Sequence, residues 1–100
     1  MESKIWNLDD VKEIKKAFRK KFKKISDEEL EKIDEWFSDN AEILLSFYGI
    51  EKFIKNEYQR TRFLDFLYMF SIAFNKFEYD ERYDQPIFYR ACAYAGISIN

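Results

Sequence analysis

The side chains of this chain that carry chemistry are mostly carboxylates, and they fall into two dense groups. Asp27, Glu28, Glu29, Glu31, Asp34 and Glu35 form the first; Glu78, Asp80, Glu81 and Asp84 form the second. Paired carboxylates can support glycoside hydrolysis or bind a hard cation through oxygen. Neither group suits that work. The first lies on the opening turns of a predicted helix, where acids complement the positive end of the helix dipole and face solvent. The second lacks the fixed spacing and turn glycine of a calcium loop. The chain has no histidine, the commonest acid–base group near neutral pH, and a single cysteine. That leaves no His/Cys cluster for zinc. Gly49 and Gly96 stand alone, so there is neither a phosphate-cradling loop nor a nucleophile elbow. Cys92 sits among alanines and reads as a small buried hydrophobe. The expectation is a protein without catalytic activity, cofactor or metal.

Two further sets of residues point to binding. Lys12, Lys16, Arg19, Lys20, Lys23 and Lys24 give the first predicted helix a basic face, which can contact nucleic acid, an acidic protein or an anionic membrane surface. A competing expectation is internal cancellation. Residues 1–25 carry net charge +5 and residues 26–49 net −7. Their helices are joined by one or two residues and should pack antiparallel, with the two charges side by side. The second set interleaves tyrosine and arginine: Tyr58, Arg60 and Arg62, then Tyr79, Arg82, Tyr83, Tyr89, Arg90 and Tyr94. These residue types dominate protein-interface hot spots and also stack on single-stranded bases. The bland reading is core rings beside ordinary surface arginines. Acids outnumber bases around residues 78–94, which favours a protein partner over nucleic acid. Arg60, Arg62, Tyr79, Arg82, Tyr83 and Tyr89 are the candidate partner-binding residues.

The elements that must position these residues are helical. Only Gly49, Pro86 and Gly96 punctuate the chain, too few breaks for many short strands. Leu8, Val11, Ile14, Phe18, Phe22 and Ile25 recur at helical steps, predicting a first helix over about Leu8 to Lys24. Asn7 is its expected N-cap, with Ile5 and Trp6 able to staple onto the first turn. Ser26-Asp27-Glu28-Glu29 is a capping-box sequence and starts a second helix at Asp27. The stripe Leu30, Ile33, Phe37, Ala41, Leu44, Tyr48 carries this helix to Gly49. Its weak point is Ser38-Asp39-Asn40. The unbroken phase favours continuity, and a break there with Ser38 or Asn40 as a new cap is the alternative. Ile50, Phe53, Ile54 and Tyr58 suggest another amphipathic turn or two, which can run on into residues 62–77. That stretch is apolar on nearly every face, as in a helix central to a bundle. Its apolar run of about twelve residues falls short of the roughly twenty a membrane span needs. Glu78 to Gln85 is the main loop. Pro86 fits the first position of a last helix capped by Asp84 or Gln85 and ending at Gly96. The small residues Ala91, Cys92, Ala93 and Ala95 should let it lie close to the central aromatics.

The predicted fold is therefore all-α: one domain, a bundle of four or five helices with residues 62–77 central. Twenty aromatic residues in a chain of 100 exceed what a small core readily hides, which favours a partner and suggests a homo-oligomer. The start of the chain lacks an apolar signal core, and an unpaired cysteine forms no internal disulfide, so a cytoplasmic location is expected. The favoured function is a small module that binds a larger protein as inhibitor, adaptor or assembly subunit. Small proteins of phages and mobile elements, including inhibitors of host defence, often share this profile. The runner-up is a nucleic-acid-binding subunit that uses the basic first helix.

Overall fold

In the computed structural model, which describes residues 11–99, four α-helices and one 3₁₀ segment follow one another and no residue is in a strand. They are α1 (Val11–Phe22), α2 (Asp27–Ser46), the 3₁₀ segment Phe47–Phe53, α3 (Glu57–Phe74) and α4 (Gln85–Ala95). The architecture is the predicted all-α bundle. The expected cap Asn7, the staple of Ile5 and Trp6, and the start of the first helix at Leu8 lie outside the described residues. The observed α1 ends at Phe22, two residues early. Lys23 and Lys24 form a turn in which the Lys24 and Ile25 amides both donate to the Lys21 carbonyl, at 2.9 and 3.0 Å.

The capping box forms as read. The Glu29 amide donates to Ser26 Oγ at 3.1 Å and the Ser26 amide to Glu29 Oε1 at 3.4 Å. Two amides that have no partner inside the helix are thereby satisfied. The helix then runs unbroken through Ser38–Asn40. Asn40 tolerates the helix because its Nδ2 donates to the Trp36 carbonyl at 2.8 Å, one turn back. Helix α2 stops at Ser46, three residues before the expected Gly49. The chain turns instead at Tyr48 and Gly49, both in the left-handed region with φ of 57° and 67°. A tyrosine there is uncommon and costs backbone energy. Its hydroxyl and amide are both held by Glu81, as described below.

The apolar run after Gly49 does not fuse with the central helix. Asn56 caps α3, its Oδ1 accepting from the Gln59 amide at 2.9 Å. The Gln59 side chain closes the cap from the other direction and also donates to the Gly96 carbonyl, tying both ends of the hydrogen-bonded corner to α4. At its far end α3 stops at Phe74, not at residue 77, because Asn75 adopts the left-handed conformation of a helix stop.

Helix α3 is central because its neighbours bury nearly all its faces. Phe63, Phe66, Leu67 and Phe70 are fully buried. Truncating one of these phenylalanines to alanine should cost about 3–5 kcal/mol. Helix α2 runs antiparallel to α3: Tyr68 Oη donates to Asp34 Oδ1 at 2.7 Å, and Arg60 Nη2 meets Glu42 at 2.5 Å. Helix α4 also runs antiparallel to it: Gln59, at the start of α3, donates to the Gly96 carbonyl at the end of α4, and Lys76, just past α3, meets Asp84 at the start of α4. Between them Phe63 and Phe66 pack against Phe88 and Tyr94. Ala91, Cys92 and Ala95 face the core as expected, whereas Ala93 is exposed. Pro86 occupies the second helical position, one later than expected, and Gly96 (φ 75°) ends the helix. Ile97 of the tail is buried as well.

Helix α1 departs from expectation. It packs chiefly on α3 and not on α2, and it lies parallel to α3. Lys15 sits 5.6 Å from the Tyr94 ring near the middle of the bundle, and the last turn of α1 shares a cleft with Ile72, Ala73 and Asn75. Adjacent helices need not pair when a more apolar surface is within reach. Ile14 is fully buried, with Val11 and Phe18 half-buried beside it.

Candidate interaction surfaces

The six predicted partner-binding residues do not form one patch. Tyr79 packs half-buried against the core. Its hydroxyl lies 2.6 Å from Ser71 Oγ and donates to the Leu67 carbonyl at 3.1 Å. Its ring meets Phe88 edge-on at 5.5 Å and lies 6.2 Å from Trp36. Burial pushes the Tyr79 phenol well above its usual range. Arg60 is engaged by Glu42 and, at 3.9 Å, by Glu57. Arg62 lies flat across the Tyr94 ring at 4.1 Å, approaches Tyr58 at 5.4 Å, and donates to the Tyr94 carbonyl at 3.3 Å. These two arginines brace α2 and α4 against α3, which is structural work. Three of the six are thus engaged within the fold.

Arg82, Tyr83 and Tyr89 remain on the surface, at the loop between α3 and α4. The loop's shape is set by two aspartates. The Asp80 carbonyl accepts from the Tyr83 and Asp84 amides at 3.0 and 2.9 Å, closing a tight turn. Asp84, only 2 % exposed, reaches back: its Oδ2 accepts from the Asp80 amide at 2.5 Å, and Lys76 Nζ stands 3.3 Å from Oδ1. The Asp80 carboxylate faces outward and grips Arg82 at three points, the amide at 2.8 Å, Nε at 3.1 Å and Nη2 at 2.7 Å. Hydrogen bonds from the Arg82 side chain and then its amide lower the Asp80 pKa to about 2, and the carboxylate raises that of Arg82 in turn. The held guanidinium lies 5.2 Å from the Tyr83 ring, which is 69 % exposed.

Tyr48 joins this turn to α4. Its amide donates to Glu81 Oε2 at 2.9 Å and its hydroxyl to the Glu81 carbonyl, while its ring meets Tyr89 edge-on at 5.9 Å. Partial burial first, and the Glu81 charge second, raise the Tyr48 pKa to about 12. Gln85 Nε2 donates to the Tyr89 hydroxyl at 3.0 Å. The result is a polar, aromatic face on which Asp80 holds Arg82 and Gln85 meets the Tyr89 hydroxyl, with the Tyr83 ring exposed beside the guanidinium. Tyr48 escaped the sequence reading because its spacing placed it on the apolar stripe of α2.

The basic helix is the second surface. At about 100° per residue, Lys12, Arg19, Lys23 and Lys16 fall within about 60° of one another, opposite Ile14. All are exposed, and among the described residues no carboxylate lies within ion-pair distance of any of them. These four are not paired with the acidic helix, because α1 packs chiefly on α3.

Lys20 and Lys24 point elsewhere. With Lys21 they rim a cleft of about 540 Å³ whose walls are Ala17, Ile25, Ile72, Ala73 and Phe77, and whose only acid among the described residues is Glu29. A depression of about 210 Å³ adjoins it, lined by Glu29, Lys32, Ile33, Trp36 and Phe77. The cleft was illegible in the sequence because it depends on α1 lying parallel to α3. The one hint was Ala17, a small residue amid large ones.

Among the described residues, no three metal-ligating side chains converge, and no helix is long and apolar enough to cross a membrane. Cys92 is 1 % exposed, and burial raises its thiol to about 11. Comparison with protein-family models, with curated proteins and with solved structures finds no match.

Proposed function

We propose that this protein is a non-catalytic binding module that docks a larger protein through the face made by Arg82, Tyr83 and Tyr89, acting as an inhibitor, adaptor or assembly subunit. The observation that carries this reading is the exposed Tyr83 ring beneath a guanidinium that Asp80 already holds in place. Immobilising long side chains on binding costs about 0.5–1.5 kcal/mol each, and here that cost is met in the free protein. Tyrosine and arginine so presented are the side chains that anchor interfaces. The measurement is affinity capture from the native host with wild type and with the double variant R82A/Y83A. Proteins retained by wild type should be lost from the variant at unchanged thermal stability. An identical retained set would remove this face from the reading.

A second reading rests on the stripe Lys12, Lys16, Arg19 and Lys23, exposed and without an ion-pair partner among the described residues, which suits a run of nucleic-acid phosphates. It requires a complex in a gel shift at low salt that weakens steeply as salt rises. A protein that shifts neither DNA nor RNA at low salt is not a nucleic-acid binder.

A further inference from the structure

We propose that the cleft between the end of α1, the start of α2 and the end of α3 is a second docking site, and that its occupant is an acidic segment of a partner protein carrying large apolar side chains. This site is separate from the Arg82–Tyr83–Tyr89 face and does not depend on it.

The charge of the mouth sets the sign of the ligand. Lys20, Lys21 and Lys24 surround the cleft and Lys32 flanks the adjoining depression, against a single acid among the described residues, Glu29. Like charges gathered round one opening repel one another and make the free protein less stable. Cations at a helix C-terminus do offset its dipole, but that effect is confined to the last turn and accounts for neither Lys32 nor the apolar walls. Carboxylates from outside would relieve the repulsion.

The walls set the rest of the ligand. Ile25, Ile72, Ala73 and Phe77 line the interior, and Ile33, Trp36 and Phe77 line the depression beside it. The two hollows share Glu29 and Phe77, so one continuous segment can occupy both. The larger lies within the roughly 300–1,000 Å³ range of sites that enclose ligands. Phe22 and Phe74, the last residues of α1 and α3, are 42 % and 37 % exposed at this same end of the molecule. Apolar anchors set among acids, at helical or extended spacing, fit such a groove. Nucleic acid fits it poorly. Phosphates would reach the lysines but would leave an apolar interior uncovered, with Glu29 facing them.

The full chain, immobilised, should be panned with a random-peptide display library. Selected sequences are then labelled and titrated by fluorescence anisotropy against wild type, K20E/K24E, A17L and R82A/Y83A. The expected sequences interleave Asp or Glu with Leu, Ile, Phe or Trp. Their affinity should fall about tenfold or more in K20E/K24E, a loss of about 1.4 kcal/mol. A17L fills the cleft while keeping every lysine, and should weaken binding too; it decides the matter if the charge-reversed variant does not fold. R82A/Y83A should bind as wild type does. Sequences without acidic enrichment, affinities unmoved by both K20E/K24E and A17L, or loss confined to R82A/Y83A would each overturn the proposal. So would labelled DNA that binds through Lys20 and Lys24 more tightly than every selected peptide.

Discussion

Asp84 is the residue whose replacement should most disturb the loop face without touching it. Its carboxylate is buried and accepts from the Asp80 amide while facing the Lys76 ammonium. Asp84→Ala strands that amide in a partly buried turn. An orphaned buried donor costs about 1–3 kcal/mol. Lys76 adds little to this, because its side chain is 33 % exposed and regains water when the pair is lost. The sum is about 2 kcal/mol, and for a domain of this size about 4–8 °C of melting temperature accompanies each kcal/mol. A fall of about 8–16 °C is therefore expected by circular dichroism. Asp84→Asn keeps an oxygen for the Asp80 amide and loses only the charge opposite Lys76, so it should fall by less than half as much. The order of the two variants carries the test. If alanine and asparagine prove equally harmful, the amide hydrogen bond is not what the carboxylate contributes. If both melt like wild type, the turn is held by something else.

Two other outcomes follow from the same chemistry. The Asp80 carboxyl, followed by NMR, should titrate near 2, and in Arg82→Ala it should return towards its unperturbed 3.8. Its folded value lies below the unfolded one, so its contribution to stability is present above about pH 4 and is lost as pH falls towards 2. An Asp80 midpoint that Arg82→Ala leaves in place would contradict the grip described here. Cys92, buried with its thiol raised to about 11, should resist an aromatic disulfide reagent at neutral pH until the protein is unfolded by urea. Rapid stoichiometric labelling of the native protein would show that α4 is not packed as drawn.

Features written in neighbouring residues were legible in the sequence, and features made by distant ones were not. Ser26 and Glu29 announced the start of α2 because both halves of the box lie within four residues. Gly96 announced the end of α4 because only a left-handed turn suits the bonds made there. The apolar faces of Phe63 to Ala73 announced a central helix because no other site in a helical bundle covers all sides. The partner of α1 was mistaken: short connections favour antiparallel neighbours, but Ile14 finds a deeper apolar site on α3 than the charged α2 offers. Tyr79 was mistaken for a surface ring because its neighbours Glu78 and Asp80 are polar. What draws it inward is the Leu67 carbonyl and Ser71 hydroxyl, which no local pattern reveals. The half of the predicted set that lies on the surface, Arg82, Tyr83 and Tyr89, was legible as residue types. The aspartates that fix it were read only as a polar loop.

The parallel seating of α1 on α3 bears on how the molecule assembles. Helices α2, α3 and α4 can zip together pairwise, each with a neighbour close along the chain. Helix α1 has to wait for the far end of α3 to exist, and then, among the described residues, Ile14 seats it with Val11 and Phe18 half-buried beside it. A peripheral helix seated so late should open before the central α3 does. Its amides should lose protection from deuterium ahead of those in α3, and every such opening would dismantle the lysine-rimmed cleft.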